Sequence, residues 1–266
     1  MITLFDIPSN VPGKAWSLFM WRIRLSLIYK KIPYKTQWLE SPEIEPTLKR
    51  LNIPPTKYYE DGTPLYSVPA IIDVDDETGE TKAALAESYD IAKYLDKAYP
   101  DTPKLFPTEK GELERLEKFA KQEFLSIWPP SYFLTVCKIM LPKFNPESQE
   151  PFSKSCAKDF LRGYGKDRLE DIPLSDEEVK DGWRKVKDGF NTLEEKLKGT
   201  DGKGQWLLGN EISFADLVIG AFLVSIWGVF GEGSSEWEDV KTWNGGRWGR
   251  FVASLDELCG YTAADQ

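Results

Sequence analysis

The segment Pro100-Asp-Thr-Pro-Lys-Leu-Phe-Pro107 carries three prolines in eight residues. Proline has no N–H to donate, fixes φ, and pushes the preceding residue out of the helical region. No helix runs through such a stretch, and no central strand does either. It therefore cuts the chain. Before it, strand and helix patterns alternate; after it, strand patterns vanish. The expected organisation is an α/β domain over 1–99, a linker over 100–108 and an all-α domain over 109–266.

In the first part, Ile2 to Phe5 reads as a short strand. Ala15 to Lys30 places Phe19, Ile23 and Leu27 one helical turn apart, with Met20 on the adjacent stripe. Tyr34 to Leu39 alternates as a strand, and Pro42 to Leu51 reads as a short helix with Pro42 in its first turn. Asn52 to Pro64 is punctuated by Pro and Gly and is expected to be a loop. Val68 to Val74 and Lys82 to Leu85 read as strands joined by the turn Asp75-Asp-Glu-Thr-Gly79. Tyr89 to Tyr99 is an amphipathic helix with Ile91, Tyr94, Leu95 and Ala98 on one face. The order βαβαββα is that of a thioredoxin fold.

The second part reads as a helical bundle. Glu109 to Met140 is expected to be one long helix kinked at Pro129-Pro130. A shorter helix and a charged, turn-rich segment follow between Phe144 and Pro173. Ser175 to Lys198 opens with a capping box closed by Glu178. Ser213 and Asp216 form a second box, with Ile212 and Leu217 as its hydrophobic staple. A nearly all-apolar helix, Leu217 to Trp227, comes next, and a last amphipathic helix ends around Leu258.

Several chemistries are excluded. The chain has no histidine, which removes Ser-His-Asp and Cys-His catalysis and the commonest zinc ligand. Its three cysteines, Cys137, Cys156 and Cys259, are odd in number and far apart. Neither a disulfide framework nor a metal site is expected, and a reducing, cytoplasmic setting is. A net charge of −9 without a basic stripe makes nucleic acid a poor partner. No apolar run is long enough for a membrane span, and Met1 to Asp6 reads as a strand rather than a leader.

Two short motifs carry chemistry. Val68-Pro69 opens an apolar strand, where a proline must sit at the strand start or edge; an X-Pro bond is also where a cis peptide is cheap. Glu87-Ser88 stands directly before the Tyr89 helix and puts an acid and a hydroxyl at a helix N-terminus. Such a pair can hold a small zwitterionic peptide, by backbone pairing at one end and carboxylate capture at the other.

The thioredoxin-like half, the proline linker and the all-α half with its Ser213–Asp216 box resemble the glutathione transferase superfamily over almost the whole chain. Asp6-Ile-Pro-Ser-Asn, Pro12-Gly-Lys-Ala-Trp-Ser-Leu-Phe-Met-Trp-Arg22 and Phe144-Asn-Pro-Glu-Ser are similar to a fungal, etherase-like class related to bacterial β-aryl etherases. The resemblance implies glutathione as cosubstrate, no metal, and a homodimer. It implies a hydroxyl or thiol near the start of the first helix. No cysteine precedes Cys137, and the first tyrosine, Tyr29, lies at that helix's far end. Ser9, Ser17 and Ser26 remain, and Ser17 also reads as an ordinary N-cap. The family pattern places the catalytic hydroxyl at Ser17. By the same resemblance Val68 and Pro69 take the cysteinyl unit, Glu87 the α-amino group and Ser88 the carboxylate of the γ-glutamyl unit. Lys57 is the candidate for the glycyl carboxylate, although Tyr58 to Ser67 separate it from Val68. Arg22 reads as a structural ion-pair partner.

Trp16, Phe19, Phe124, Trp128 and Tyr132, with Phe133 and Trp227, are candidates for an aromatic pocket between the domains. Such a pocket takes hydrophobic aromatic small molecules. The expected function is a serine-type transferase acting on small aromatic electrophiles, in detoxification of lignin- or plant-derived phenolics. The alternatives are a ligandin that binds aromatic metabolites, glutathione-dependent ether cleavage, and a dimerising scaffold.

Overall fold

The computed structural model describes residues 1–198, 206–209 and 211–260. Strand β1, Ile2–Asp6, is buried along its whole length because both its faces are covered. Ile2 and Leu4 face one apolar cluster and Phe5 faces another. It lies inside a four-stranded sheet, between β2 (Tyr34–Trp38), parallel to it, and β5 (Ala70–Val74), antiparallel. Strand β6, Thr81–Ala86, pairs with β5 and completes the order β2-β1-β5-β6. Helices α1 (Leu18–Tyr29) and α3 (Ser88–Ala98) pack on the Ile2 side. Helix α2, Ser41–Arg50, covers the Phe5 side through Leu48.

This is the thioredoxin-like architecture expected, with one addition. The stretch read as a loop contains a small antiparallel ribbon of β3 (Lys57–Tyr58) and β4 (Pro64–Leu65). Strands of two residues show no alternation, so a periodicity reading passes over them. The Val68–Pro69 bond is cis, and β5 begins just after it.

The linker is tied down by a buried lysine. Lys30 Nζ donates to Asp96 at 2.7 Å and to the Pro103 carbonyl at 2.9 Å. Asp96 in turn accepts from the Leu105 and Phe106 N–H groups, each at 3.0 Å.

The expected long helix is three pieces. Helix α4, Lys110–Lys118, runs into a π turn, Phe119–Glu123, and a 3-10 turn, Phe124–Ile127. The chain then breaks, and α5 starts anew at Pro130–Met140. Pro130 sits at a first helical position, where its missing N–H costs nothing. Pro129, the residue before Pro130, is extended, as a residue preceding proline must be. The two prolines therefore start a helix rather than bend one.

Helix α6, Pro146–Asp159, begins within the Phe144-Asn-Pro-Glu-Ser motif. Asn145 Nδ2 donates to Glu40 Oε1 at 2.7 Å, and Ser148 Oγ accepts from the Ser41 N–H at 2.8 Å. The motif thus fastens the helical domain onto the start of α2. Helix α7 is Asp176–Lys198, with the expected Ser175–Glu178 box at its start.

Helix α8, Phe214–Phe230, is buried almost throughout and packs against both α1 and α9, Ser235–Cys259. At Gly220 any side chain would meet Leu255, since a Cβ there would lie 2.3 Å from Leu255 Cδ2. Helix α9 is broken at Trp243 to Gly246, where Asn244, Gly245 and Gly246 are left-handed. Among the described residues no helix is long and apolar enough to cross a membrane.

The Ser213–Asp216 box is formed, and it reaches further than a cap. The fully buried Asp216 carboxylate accepts from Ser213 N (2.9 Å), Ser213 Oγ (2.7 Å) and Leu207 N (2.7 Å). Burial pushes this carboxyl up to about 6, against the pull of those hydrogen bonds. Asp216→Ala strands two buried N–H groups and should cost about 1–3 kcal/mol by urea denaturation. Asp216→Asn, which keeps one acceptor oxygen, should cost less. Equal losses for the two variants would show that the acceptor role is not what matters.

Candidate active site

A cleft of about 1050 Å3 is lined by both domains. The start of α1, the Ser67–Pro69 strand entry and the start of α3 form one side. The π turn after α4 and parts of α5, α6 and α8 form the other.

Ser17 is the N-cap of α1, and its Oγ accepts from the Phe19 N–H at 3.3 Å. A hydroxyl that accepts still has a proton to donate. That proton has no acceptor among the described residues, and Ser17 lines the cleft. The rival serines have spent theirs. Ser9 Oγ donates to the Lys14 carbonyl at 2.9 Å, and Ser26 Oγ to the Arg22 carbonyl at 2.7 Å. Both are buried, and neither lines the cleft. The two readings of Ser17, cap and donor, are therefore compatible.

Val68 makes no backbone hydrogen bond among the described residues, so its N–H and C=O are available to an extended ligand. Glu87 has φ +72°, a conformation costly for a residue with a side chain. It turns the chain from β6 into α3, which starts at Ser88. The first-turn N–H groups of a helix have no carbonyl partner within it and favour an anion. Here they belong to Ser88, Tyr89 and Asp90, all on the cleft wall. Desolvation at the wall pushes the Glu87 carboxyl above its ordinary value, and Asp90 adds to this. Arg22, Lys121 and Lys57 pull it back.

Lys57 lines the cleft, but its Nζ lies 3.4 Å from Asp159 on α6. Asp159 also accepts from the Tyr59 hydroxyl at 2.8 Å, so the lysine belongs to a bridge between the ribbon and the helical domain.

Of the aromatic candidates, Trp16, Phe19, Trp128, Tyr132 and Phe133 line the cleft. Tyr132 is buried, which pushes its hydroxyl far up and keeps it neutral. Phe124 does not line the cleft. It is fully buried behind the wall, its ring 5.8 Å from Phe119 and 5.7 Å from Phe222. The π turn before it breaks the helical period, so spacing from Trp128 misplaces it. Trp227 likewise packs on the core and is not part of the lining.

Two contributors were not anticipated. Phe160, half exposed just past α6, lies 4.6 Å from the Phe133 ring and stacks on Phe19 at 6.4 Å. Arg22, expected to be an ion-pair partner, forms no ion pair among the described residues. Its Nε and Nη2 are buried without a hydrogen bond, and its guanidinium lies over Phe19 and Phe124. Among the described residues no group of three or more carboxylate or thiol side chains is placed to hold a metal.

Both halves of the chain resemble known proteins. Residues 16–98 match the glutathione S-transferase N-terminal domain, and residues 116–258 match the glutathione S-transferase C-terminal domain. A glutathione S-transferase-like protein, ustS, of Aspergillus flavus is 31% identical over 227 residues, covering 82% of this chain and 78% of that protein. A glutathione S-transferase of Ceriporiopsis subvermispora, solved in complex with glutathione, is 33% identical, with a TM-score of 0.83 over 97% of both chains. The glutathione transferase GSTFuA3 of Phanerochaete chrysosporium is 31% identical, with a TM-score of 0.82 over 97% of this chain and 96% of that one.

Proposed function

The chain belongs to the glutathione S-transferase family, and on that premise we propose that it activates the thiol of glutathione for attack on small aromatic electrophiles. The observation that carries this reading is Ser17, which brings an unspent hydroxyl proton to a helix N-terminus in the cleft. A thiol with pKa of about 8.5 is mostly protonated at neutral pH. A hydroxyl donor and the N-terminal end of α1 both favour the thiolate. The thiol proton leaves to solvent, so no protein base is needed. The thiolate electron pair then forms the S–C bond, and the acceptor's leaving group departs with its own pair. Displacement of a phenolate from an aryl ether uses the same thiolate and is the natural variant of this chemistry.

Glutathione is oriented by its ends. Val68 supplies an unpaired peptide edge to the cysteinyl unit beside Pro69. Glu87 takes the α-amino group, and Ser88 with the α3 N–H groups takes the γ-glutamyl carboxylate. Lys57 steers the glycyl carboxylate only at the expense of its pair with Asp159. The aromatic wall of Trp16, Phe19, Trp128 and Phe133 takes the acceptor ring.

Calorimetric titration with glutathione tests the placement. Ser88→Ala should weaken binding roughly tenfold, the low end for a hydrogen bond to a charged group, because the helix N–H groups stay. Unchanged affinity would remove Ser88 from the site. No binding by the wild-type protein would remove the whole reading.

A further inference from the structure

Two arginines on α1 lie two residues apart and are almost equally buried, Arg22 at 6% and Arg24 at 1% exposure. Arg24 is a satisfied structural cation: its Nε and Nη2 reach Asp6 Oδ2 at 3.1 and 2.9 Å. Arg22 is not. Its Nε and Nη2 have no hydrogen-bond partner, and it forms no ion pair among the described residues. Glu87 acts on it only at a distance, through its field. A guanidinium buried in this way lacks the anion that would offset its lost hydration.

The surroundings of Arg22 define the missing partner. Arg22 lines the cleft. Its guanidinium is 5.1 Å from the Phe19 ring centre and 5.9 Å from that of Phe124. Phe19 continues the aromatic wall to Trp128, 5.9 Å away. The site thus joins a planar apolar surface to a fixed planar donor fork, the geometry that suits an oxyanion held rigidly on a ring.

Resting on the reading of the cleft as a glutathione site, we infer that Arg22 makes the acceptor side of the cleft selective for aromatic anions, rings that carry a carboxylate or phenolate. The charges of glutathione have partners in that reading: Glu87 for the amine, Ser88 and the α3 N–H groups for one carboxylate, and Lys57, drawn from its pair with Asp159, for the other. Arg22 remains, and it faces the aromatic wall.

The test uses the glutathione-saturated, full-length protein and a matched probe pair, cinnamate and cinnamamide, which differ in charge and little in shape. Tryptophan fluorescence titration should show wild type binding cinnamate roughly tenfold more tightly than cinnamamide, the increment of one charge-assisted hydrogen bond. Arg22→Met, which fills a similar volume, should bring the two affinities within about twofold while glutathione affinity stays as in wild type. Arg22→Lys should keep part of the preference. Equal binding of both probes by wild type overturns the inference without any variant. A loss of glutathione affinity in Arg22→Met, with the probe preference kept, assigns Arg22 to glutathione and also overturns it. If Arg22→Met does not fold, the wild-type and Arg22→Lys comparisons decide. Glutathione binding, measured separately on wild type, tells failure of this inference from failure of the transferase reading.

Discussion

Replacing Asp6 by alanine should cost the fold about 3–5 kcal/mol, the range for breaking a buried ion pair by removing one partner. Asp6 is fully buried at the end of β1, and Arg24 is nearly so on α1. Asp6 Oδ2 accepts both guanidinium bonds, and Oδ1 accepts from the Ile7 N–H at 2.7 Å. The Arg24 guanidinium also lies 4.9 Å from the Trp38 ring centre, so it is hemmed in and cannot follow water. Alanine at position 6 removes the oxygen that accepts from Arg24 Nε and Nη2 and frees the chain entering the 7–16 loop. The pair itself need not be strongly stabilising. Burying two charges costs nearly what their attraction returns, so Asp6→Leu combined with Arg24→Met should recover most of the loss. Urea denaturation of Asp6→Leu, Arg24→Met and the double closes the cycle. A single-variant loss below about 1 kcal/mol, the size of an exposed pair, would mean that water reaches the site.

Arg22 and Arg24 also mark where sequence reading stops. Residues two apart on a helix point about 200° apart around its axis, so one can reach the strand beneath while the other faces the cleft. Nothing in residue type separates them, and the ion pair expected of Arg22 is made by Arg24. What is written locally was legible. The proline linker, the βα alternation, the Ser213–Asp216 and Ser175–Glu178 boxes and the cis Val68–Pro69 bond all follow from neighbours within a few positions. What depends on period slipping was not. The π turn at Phe119–Glu123 puts Phe124 into the core. The break in α9, by contrast, falls on Asn244-Gly-Gly246, a run that is itself a local turn signal. The pairing of Lys57 with Asp159 joins residues from the two domains, which no local pattern encodes. The motifs behind the etherase-like resemblance proved partly architectural. Asp6 anchors Arg24, and Asn145 and Ser148 hold the start of α2.

Removing the Ser17 hydroxyl should raise the pKa of bound glutathione by about 1–2 units, the equivalent of 1.5–3 kcal/mol for a hydrogen bond to a charged group. The sign follows from the donor. A hydroxyl proton shared with sulfur stabilises the thiolate and not the thiol, so its loss favours the protonated form. Ultraviolet absorbance of the bound thiolate against pH is the direct measurement. At neutral pH the thiolate fraction of Ser17→Ala falls. Turnover falls less than that fraction, because a more basic thiolate is a better nucleophile. At pH above both titrations the variant should match or exceed the wild-type rate, because its fully formed thiolate is the more basic. Glutathione affinity should change little, since its charged ends are held elsewhere. Ser17→Ala also loses the N-cap, which alone costs about 1 kcal/mol of stability. Ser17→Gly separates the two roles, because glycine at an N-cap costs only a few tenths of a kcal/mol while supplying no hydroxyl. It should keep most of the stability and still show the raised titration. If Ser17→Gly titrates as wild type does, Ser17 is a cap alone and the backbone N–H groups of α1 hold the sulfur.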